Sequence, residues 1–161
     1  MDTQAEISQL LATLKDRAPA GYAIALHLRF TTPTFLFQSY PKEWIDYYSQ
    51  NGLVMRDPTV HWGFDNTGTI RWSELRDLDA DQIIAKAADH GMRHGVTVVL
   101  EAEGTRSLSS FTRGDRDFTD AEVEEIAGIV ARLHQMTSQT KTLTQATRDR
   151  LRGMSITFTH P

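Results

Sequence analysis

Residues 22–30 read Tyr-Ala-Ile-Ala-Leu-His-Leu-Arg-Phe, and large apolar side chains alternate in this stretch with smaller or polar ones. Successive side chains of an extended chain point to opposite faces, so this period of two predicts a β-strand with one strongly apolar face. Residues 31–33, Thr-Thr-Pro, predict a turn, and the aromatic-rich residues 34–40 return as a second strand. The sequence therefore predicts a β-hairpin whose apolar face carries Tyr22, Ile24, Leu26, Leu28 and Phe30.

Capping residues and apolar spacing give the elements outside this hairpin. A capping-box pattern from Thr3 to Glu6 opens a helix, and a second such pattern opens another helix at Thr119. Pro41 suits the first position of a further helix. Asp57-Pro58 gives the same proline signal, with Asp57 as the cap, at the start of the next helix. The other predicted elements are a helix from Asp79 or Gln82 and three strands, 69–73, 95–100 and 106–113.

The order of these elements, α-β-β-α-α-β-α-β-β-α, decides the predicted fold class. It predicts an α/β (α+β) protein built as a three-layer α-β-α sandwich, with about five antiparallel strands and helices on both faces of the sheet. Such an arrangement is similar to PAS- and GAF-like sensory folds, whose pocket lies between the sheet and one helical layer. We predict one folded domain over residues 1–136 and a polar linker with a short tail over residues 137–161.

The composition excludes several classes of protein. The chain has 161 residues, of which 40% are hydrophobic, and 17 basic against 21 acidic residues give a net charge of −4, which argues against broad phosphate binding. It has no cysteine, so disulfides and thiolate-bound zinc are excluded. The sequence shows neither a signal-peptide pattern nor a run of about 18 apolar residues. We therefore predict a cytoplasmic protein without membrane contact.

Five residues between positions 40 and 72 combine into a candidate binding site. Trp44 and Tyr48 are four residues apart on one predicted helix, so they share a face. Tyr40 precedes that helix, Asp57 opens the next, and Trp72 lies on the predicted third strand. Each has an ordinary structural interpretation on its own, because aromatics at helical spacing usually form core and an aspartate before proline usually caps a helix.

Taken together, these residues follow the pattern Y-x3-W-x3-Y-x8-D-P-x13-W. This pattern resembles the signature of the LuxR-type autoinducer-binding domain, the sensor half of quorum-sensing transcription factors. Residues 91–98 and 106–112 resemble the family's segments around the fourth and fifth strands, so the resemblance covers roughly residues 5–136. It implies a domain that encloses an N-acyl-homoserine lactone between sheet and helices, needs no cofactor and catalyses no reaction.

The resemblance also implies roles for the polar residues. Trp44 would bind the lactone carbonyl, because an indole N–H can only donate, and Asp57 would bind the amide N–H, because a carboxylate can only accept. Tyr40 and Ser110 would lie at the acyl carbonyl. Tyr48 and Trp72 would form walls by stacking and packing. Four further candidates, for which pocket contact and an ordinary core position both stay open, are Val60, Leu36, Leu108 and Thr97.

Two features depart from the family pattern. Arg106 shares a strand face with Leu108 and Ser110, where relatives tend to be apolar. We favour a side chain that reaches water at the strand end over one that binds a carboxylate or carbonyl of an unusual ligand. Residues 143–151 resemble the opening of the family's helix-turn-helix domain, and the chain then stops before a recognition helix. A naturally short family member and a part of a longer protein both stay open.

Three functions are compatible with these features. The first is a stand-alone sensor that forms a homodimer, or a heterodimer with a full-length LuxR-type regulator, through the apolar stripe of the helix at residues 119–136. The second is a part or an inhibitor of such a regulator that responds to a non-lactone signal. The third, a lactone-processing enzyme, has little support, because the sequence has no G-x-S-x-G or H-E-x-x-H motif, and His90 and His94 have no evident third metal ligand. We predict no DNA binding by this chain alone.

Overall fold

The computed structural model describes residues 2–30 and 32–138, together with Gln145 and Asp149. Three short 3₁₀ turns, at Leu53–Arg56, Trp72–Glu74 and Arg76–Leu78, join longer elements. The helices and strands are, in chain order, α1 (Thr3–Arg17), β1 (Gly21–Arg29), β2 (Thr32–Gln38), α2 (Lys42–Gln50), α3 (Pro58–Asp65), β3 (Gly68–Arg71), α4 (Ile83–Asp89), β4 (His94–Ala102), β5 (Thr105–Arg113) and α5 (Asp120–Ser138).

The five strands form one antiparallel sheet in the order β2-β1-β5-β4-β3. The hairpin β1–β2 therefore meets the hairpin β4–β5 along the pair β1·β5, and β3 completes the opposite edge. This arrangement confirms the predicted fold class and strand number.

Each face of the sheet has its own apolar cluster. On one face, α1 and α5 pack against the large side chains of β1, β2, β4 and β5, with Ile24, Phe37 and Phe111 fully buried. A second cluster, which contains Trp44, Trp72 and residues of α4, belongs to the other face. The helices thus cover both faces as predicted, and the second layer is the one that contains the candidate site.

A β-bulge in β1 changes which face its later residues reach. The register of β1 against β5 shifts between Ala25 and Leu28, and His27 has a left-handed backbone with φ of 57°. Leu26 is fully buried in the core, whereas Leu28 lines a cavity on the opposite face and Phe30 is 94% exposed. The prediction that all five large residues of the stretch share one face is therefore right for the first three and wrong for Leu28 and Phe30.

Hydrogen bonds of the His27 side chain support this backbone conformation. Its Nδ1 lies 2.6 Å from the hydroxyl of Thr105, and its Nε2 lies 2.8 Å from the hydroxyl of Thr137 in α5. The ring also lies 4.3 Å, between centroids, from the buried ring of His134. A left-handed conformation is unfavourable for a residue with a Cβ, so these contacts with α5 and β5 offset a local cost.

Three of the five predicted helix starts agree with the structure, including that of α4, which Gln82 directly precedes and where the Asp79 carboxylate accepts from the first two helical amides. Asp57 caps α3 by accepting from the amide of Thr59, and Thr119 and Glu122 form the predicted reciprocal capping box before α5. The cap of α1 is Asp2 rather than Thr3, and Pro41 precedes the first helical residue of α2 instead of occupying it. Both differences are single-residue shifts, which is the usual uncertainty of helix ends.

The apolar stripe of α5 packs on the domain's own sheet. Ile126, Val130 and Leu133 are fully buried there, so these three side chains are not available to a neighbouring molecule, and a dimer contact through the rest of α5 stays a prediction. The helix continues to Ser138, two residues beyond the predicted boundary. The rest of the predicted tail, residues 139–161, lies outside the described residues apart from Gln145 and Asp149. None of the helices in the described ranges is long and apolar enough to cross a membrane.

Candidate functional site

A cavity of about 540 Å³ lies between the sheet and the layer formed by α2, α3 and α4. Its floor is the face of β1 that carries Ala23 and Ala25, opposite the face that carries Tyr22 and Ile24. The alternation of large and small residues in β1 therefore fills the core on one face and leaves room on the other. Leu36 and Gln38 of β2 and Leu108 and Ser110 of β5 complete the sheet side of the cavity.

Nine of the ten predicted ligand residues line this cavity, and Thr97 is the exception. Several other lining residues were not predicted from the sequence. Gln38 lies two residues before Tyr40, and alternation along an extended chain puts both side chains on the same face, so this residue could have been predicted. The face that α4 presents had no sequence signal, because it depends on how that helix packs over the sheet. The missed residues include Ala23, Ala25, Leu28, Gln38, Phe64, Ile83, Ile84 and Ala87.

Asp57 is the acidic residue of the cavity wall, and its carboxylate accepts three hydrogen bonds. Its Oδ1 accepts from the amide and the hydroxyl of Thr59, at 2.8 and 2.7 Å, and its Oδ2 accepts from the hydroxyl of Tyr48 at 2.7 Å. A carboxylate oxygen has two acceptor positions, so Oδ2 keeps one for a donor in the cavity. Tyr48, interpreted from the sequence as a packing wall, is thus also a hydrogen-bond partner that orients Asp57.

Burial and hydrogen bonding act in opposite directions on the Asp57 carboxyl, and burial has the larger effect. It raises the pKa of Asp57, while the hydrogen bonds from Thr59 and Tyr48 act in the opposite direction. Burial, with a contribution from Asp57, also raises the pKa values of Tyr40 and Tyr48 above their usual range. Both phenols therefore stay protonated at neutral pH and can donate.

The raised pKa of Asp57 predicts a specific pH dependence of stability. The folded pKa lies above the unfolded value of about 3.9, so the cost of the buried charge is complete above the folded pKa and is relieved as pH falls through it. We expect the free energy of unfolding of the wild type to rise relative to that of Asp57→Asn between about pH 7 and pH 4, by about 1.4 kcal/mol for each unit of upward pKa shift. Urea denaturation across this pH range measures the difference, and a constant difference would contradict the prediction.

Trp44 is the second polar group of the wall that can bind a ligand. It is buried in α2, and its ring packs against Tyr48 and His90 at centroid distances of 6.0 and 5.3 Å. Among the described residues no acceptor lies within hydrogen-bond distance of its indole N–H. An indole nitrogen can only donate, so a carbonyl oxygen in the cavity would give this group its partner.

Trp72 lines the cavity and is connected by hydrogen bonds to the hydroxyl groups of Thr97 and Ser110. It begins the 3₁₀ turn after β3 instead of lying on the strand as predicted, and its indole N–H donates to the Thr97 hydroxyl at 3.0 Å. The Thr97 hydroxyl lies 2.7 Å from that of Ser110. Thr97 is fully buried, so its own proton is satisfied when it donates to Ser110. This direction leaves the Ser110 proton free to donate into the cavity.

Arg106 has a structural role that neither open interpretation described. Its guanidinium donates to the carbonyl oxygens of Gly63 and Asn66, each at 2.7 Å, and to a carboxylate oxygen of Glu101 at 2.7 Å. It therefore fastens the end of α3 to β5 and satisfies backbone carbonyls that the helix leaves unpaired. This side chain gives no indication of an unusual ligand.

Of the two histidines considered as metal ligands, His90 has other contacts. Nδ1 of His90 lies 3.0 Å from the carbonyl oxygen of Lys86, and the ring packs on Trp44. Within the described ranges, no three His, Asp or Glu side chains come together in a way that could hold a metal ion.

Comparison with known proteins identifies this arrangement. Residues 3–138 match a family model described as the autoinducer binding domain. The chain belongs to this family. Among the curated relatives of the autoinducer-binding domain is the transcriptional activator SolR of Ralstonia nicotianae, which is 30% identical over 109 residues, 66% of this chain and 46% of SolR. The chain thus spans less than half the length of the curated relatives it matches.

Solved structures show the same fold. A structure of SdiA in complex with octanoyl-rac-glycerol has a TM-score of 0.64 at 18% identity, covering 88% of this chain and 61% of the SdiA chain. CepR2 from Burkholderia cenocepacia, described as an N-acylhomoserine-lactone-dependent LuxR family transcription factor, has a TM-score of 0.57 at 14% identity, covering 85% and 94%. The resemblance to the LuxR-type sensor domain is confirmed, and with it a small-molecule ligand for the autoinducer-binding domain. The relatives are regulators, and no enzyme family is indicated.

Proposed function

We propose that this domain encloses an N-acyl-homoserine lactone and thereby senses a quorum signal. One observation supports this ligand above others: an unpaired indole donor, a carboxylate acceptor and a hydroxyl donor face a mainly apolar cavity of about 540 Å³. An acyl-homoserine lactone presents a ring carbonyl, an amide N–H and an acyl carbonyl, followed by an apolar tail. Each of these groups would cost about 1–3 kcal/mol if it were buried without a partner.

The individual roles are those that the family resemblance implies, and the hydrogen-bonding capacity of each residue is compatible with them. Trp44 donates to the ring carbonyl, and Asp57 accepts the amide N–H at its remaining Oδ2 position. Ser110 donates at the acyl carbonyl, and Tyr40, whose hydroxyl donates to the backbone carbonyl of Ser110 at 3.5 Å, borders the same group. Tyr48 and Trp72 enclose the head group, and Thr97 contributes through Ser110. The acyl tail lies along the apolar side chains of Leu36, Val60 and Leu108.

In the cell, the domain would act as a cytoplasmic sensor that needs no cofactor and catalyses no reaction. It would form a homodimer, or a heterodimer with a full-length LuxR-type regulator, through residues other than the buried stripe of α5. Regulation of transcription would depend on a DNA-binding domain in the same or a partner chain, since the described residues contain no recognition helix.

The proposal is tested by thermal unfolding with a panel of acyl-homoserine lactones that differ in chain length, with octanoyl-rac-glycerol as a different head group. A ligand at about 100 times its Kd stabilises the folded state by about 2.7 kcal/mol, which corresponds to a rise in Tm of roughly 5–10 °C. We expect at least one lactone to reach this rise. Trp44→Phe should lower its affinity about tenfold, because the ring carbonyl loses its donor.

Tyr47→Phe is the matched control for this variant. Tyr47 belongs to the same helix and its ring lies 5.9 Å from that of Trp44, but it does not line the cavity, so its affinity should stay unchanged. If no lactone raises the Tm, the proposed ligand is wrong. A rise with octanoyl-rac-glycerol alone would instead support the non-lactone alternative. Mass spectrometry of the lactone after long incubation checks for turnover, and intact lactone is the expected result.

A further inference from the structure

Gln38 is a polar residue of the cavity wall for which neither the fold nor the proposed function gives a partner. It lies at the end of β2, and its side chain makes no hydrogen bond within the described part of the chain. An amide needs partners for both its oxygen and its NH₂ group, so a Gln facing a largely apolar cavity is costly unless a ligand or water pairs with it.

The register of the sheet places Gln38 in one row with the polar groups already described. Gln38 pairs with Ala23, Ala23 pairs with Ser110, and Ser110 pairs with Thr97 across four adjacent strands. The next row on the same face is entirely apolar and consists of Leu36, Ala25, Leu108 and Val99. On the side of the acyl tail, the cavity floor is thus apolar beyond the row that contains Gln38 and Ser110.

Within this row, Ala23 separates Gln38 from Ser110. Neighbouring strands lie about 4.8 Å apart, so the Cα atoms of Gln38 and Ser110 are about 10 Å apart. The methyl group of Ala23 leaves the space above it open, and the Gln38 side chain can reach into that space from one end. A ligand carbonyl bound to Ser110 would direct its next carbon atoms over Ala23 towards the Gln38 amide.

We infer that Gln38 selects ligands whose acyl chain bears a keto or hydroxyl oxygen close to the acyl carbonyl. The Gln38 amide donates to a keto oxygen, and it either donates to or accepts from a hydroxyl group. An unsubstituted chain offers no hydrogen-bonding partner to this half-buried amide. This inference rests on the proposed function, because it requires the acyl carbonyl at Ser110.

The experiment compares matched pairs of lactones of equal chain length that carry CH₂, C=O or CHOH at the third acyl carbon. Isothermal titration calorimetry gives the ratio of their Kd values for the wild type, for Gln38→Met and for Gln9→Met. We expect the wild type to prefer the oxygenated ligand about three- to tenfold, the effect of one neutral hydrogen bond. Gln38→Met keeps the length of the side chain and should reduce the ratio to about one, mainly by binding the oxygenated ligand more weakly.

Gln9→Met is the control, because it makes the same substitution at an exposed position of α1 that does not line the cavity, and it should keep the wild-type ratio. Equal Kd ratios for the wild type and Gln38→Met would overturn the inference while the proposed function stands. Absence of binding by every lactone in the wild type would overturn both. Thermal unfolding of each variant without ligand verifies that the domain is folded before the ratios are compared.

Discussion

Asp57→Ala is expected to lower affinity for the best lactone about a hundredfold. A hydrogen bond to an ionised group is worth about 1.5–3 kcal/mol, and this substitution removes the acceptor of the ligand amide altogether. It also leaves the Tyr48 hydroxyl and the Thr59 amide without the oxygens that they bond, at 2.7 and 2.8 Å. Isothermal titration calorimetry measures the loss, and urea denaturation measures the accompanying fall in stability.

Asp79→Ala is the matched control for this loss. The Asp79 carboxylate accepts from the amides of Ile83 and Ile84 at the start of α4, so it also caps a helix that borders the cavity, but it does not line the cavity itself. Losing such a cap costs about 1 kcal/mol of stability. We expect Asp79→Ala to lose stability and to keep most of its affinity. Equal losses of affinity in the two variants would assign Asp57 a role in the fold alone.

The geometry around Asp57 explains why one residue has so large an expected effect. One oxygen fixes the start of α3, and the other is bonded to Tyr48 of α2, so the carboxylate joins two helices of the cavity wall. Burial in this position raises its pKa, which means that the charged form is held against a desolvation cost. A ligand N–H would therefore find an acceptor that is already oriented and poorly hydrated.

The sheet was largely predictable because the sequence patterns that indicate its strands are local. Alternation in residues 22–26 and in the later strands indicates both the strand and its buried face, and the proline and aspartate signals locate the helix starts to within a residue. The bulge at His27 was not predictable in this way. Its left-handed backbone depends on Thr105 and Thr137, which are 78 and 110 residues away in sequence.

In the candidate site, too, the features set by local sequence were predictable and those set by contacts between distant residues were not. Residues fixed by spacing along one helix or turn, such as Trp44, Tyr48 and Asp57, line the cavity as their pattern suggested. Trp72 and Thr97 were placed in the right region, but their connection through hydrogen bonds was not foreseen, because it depends on the turn after β3 folding back over β4. The row from Gln38 to Thr97 likewise exists only through the pairing of four strands.

Gly95→Ala should disrupt the site from beneath, because Gly95 of β4 lies directly under the Trp72 indole and a Cβ there would overlap three atoms of the ring. The strand is paired on both sides, so the ring must move, give up its hydrogen bond to Thr97 and intrude on the cavity. We expect a loss of about 1–3 kcal/mol in the free energy of unfolding and at least tenfold weaker binding of the best lactone, measured by urea denaturation and calorimetry.

Gly128→Ala is the control: it lies in α5 with nothing within 4 Å of its added methyl, so stability should rise by about 0.5–1 kcal/mol with affinity unchanged. Wild-type stability and affinity in Gly95→Ala would show that the indole can leave its position without consequence for the ligand.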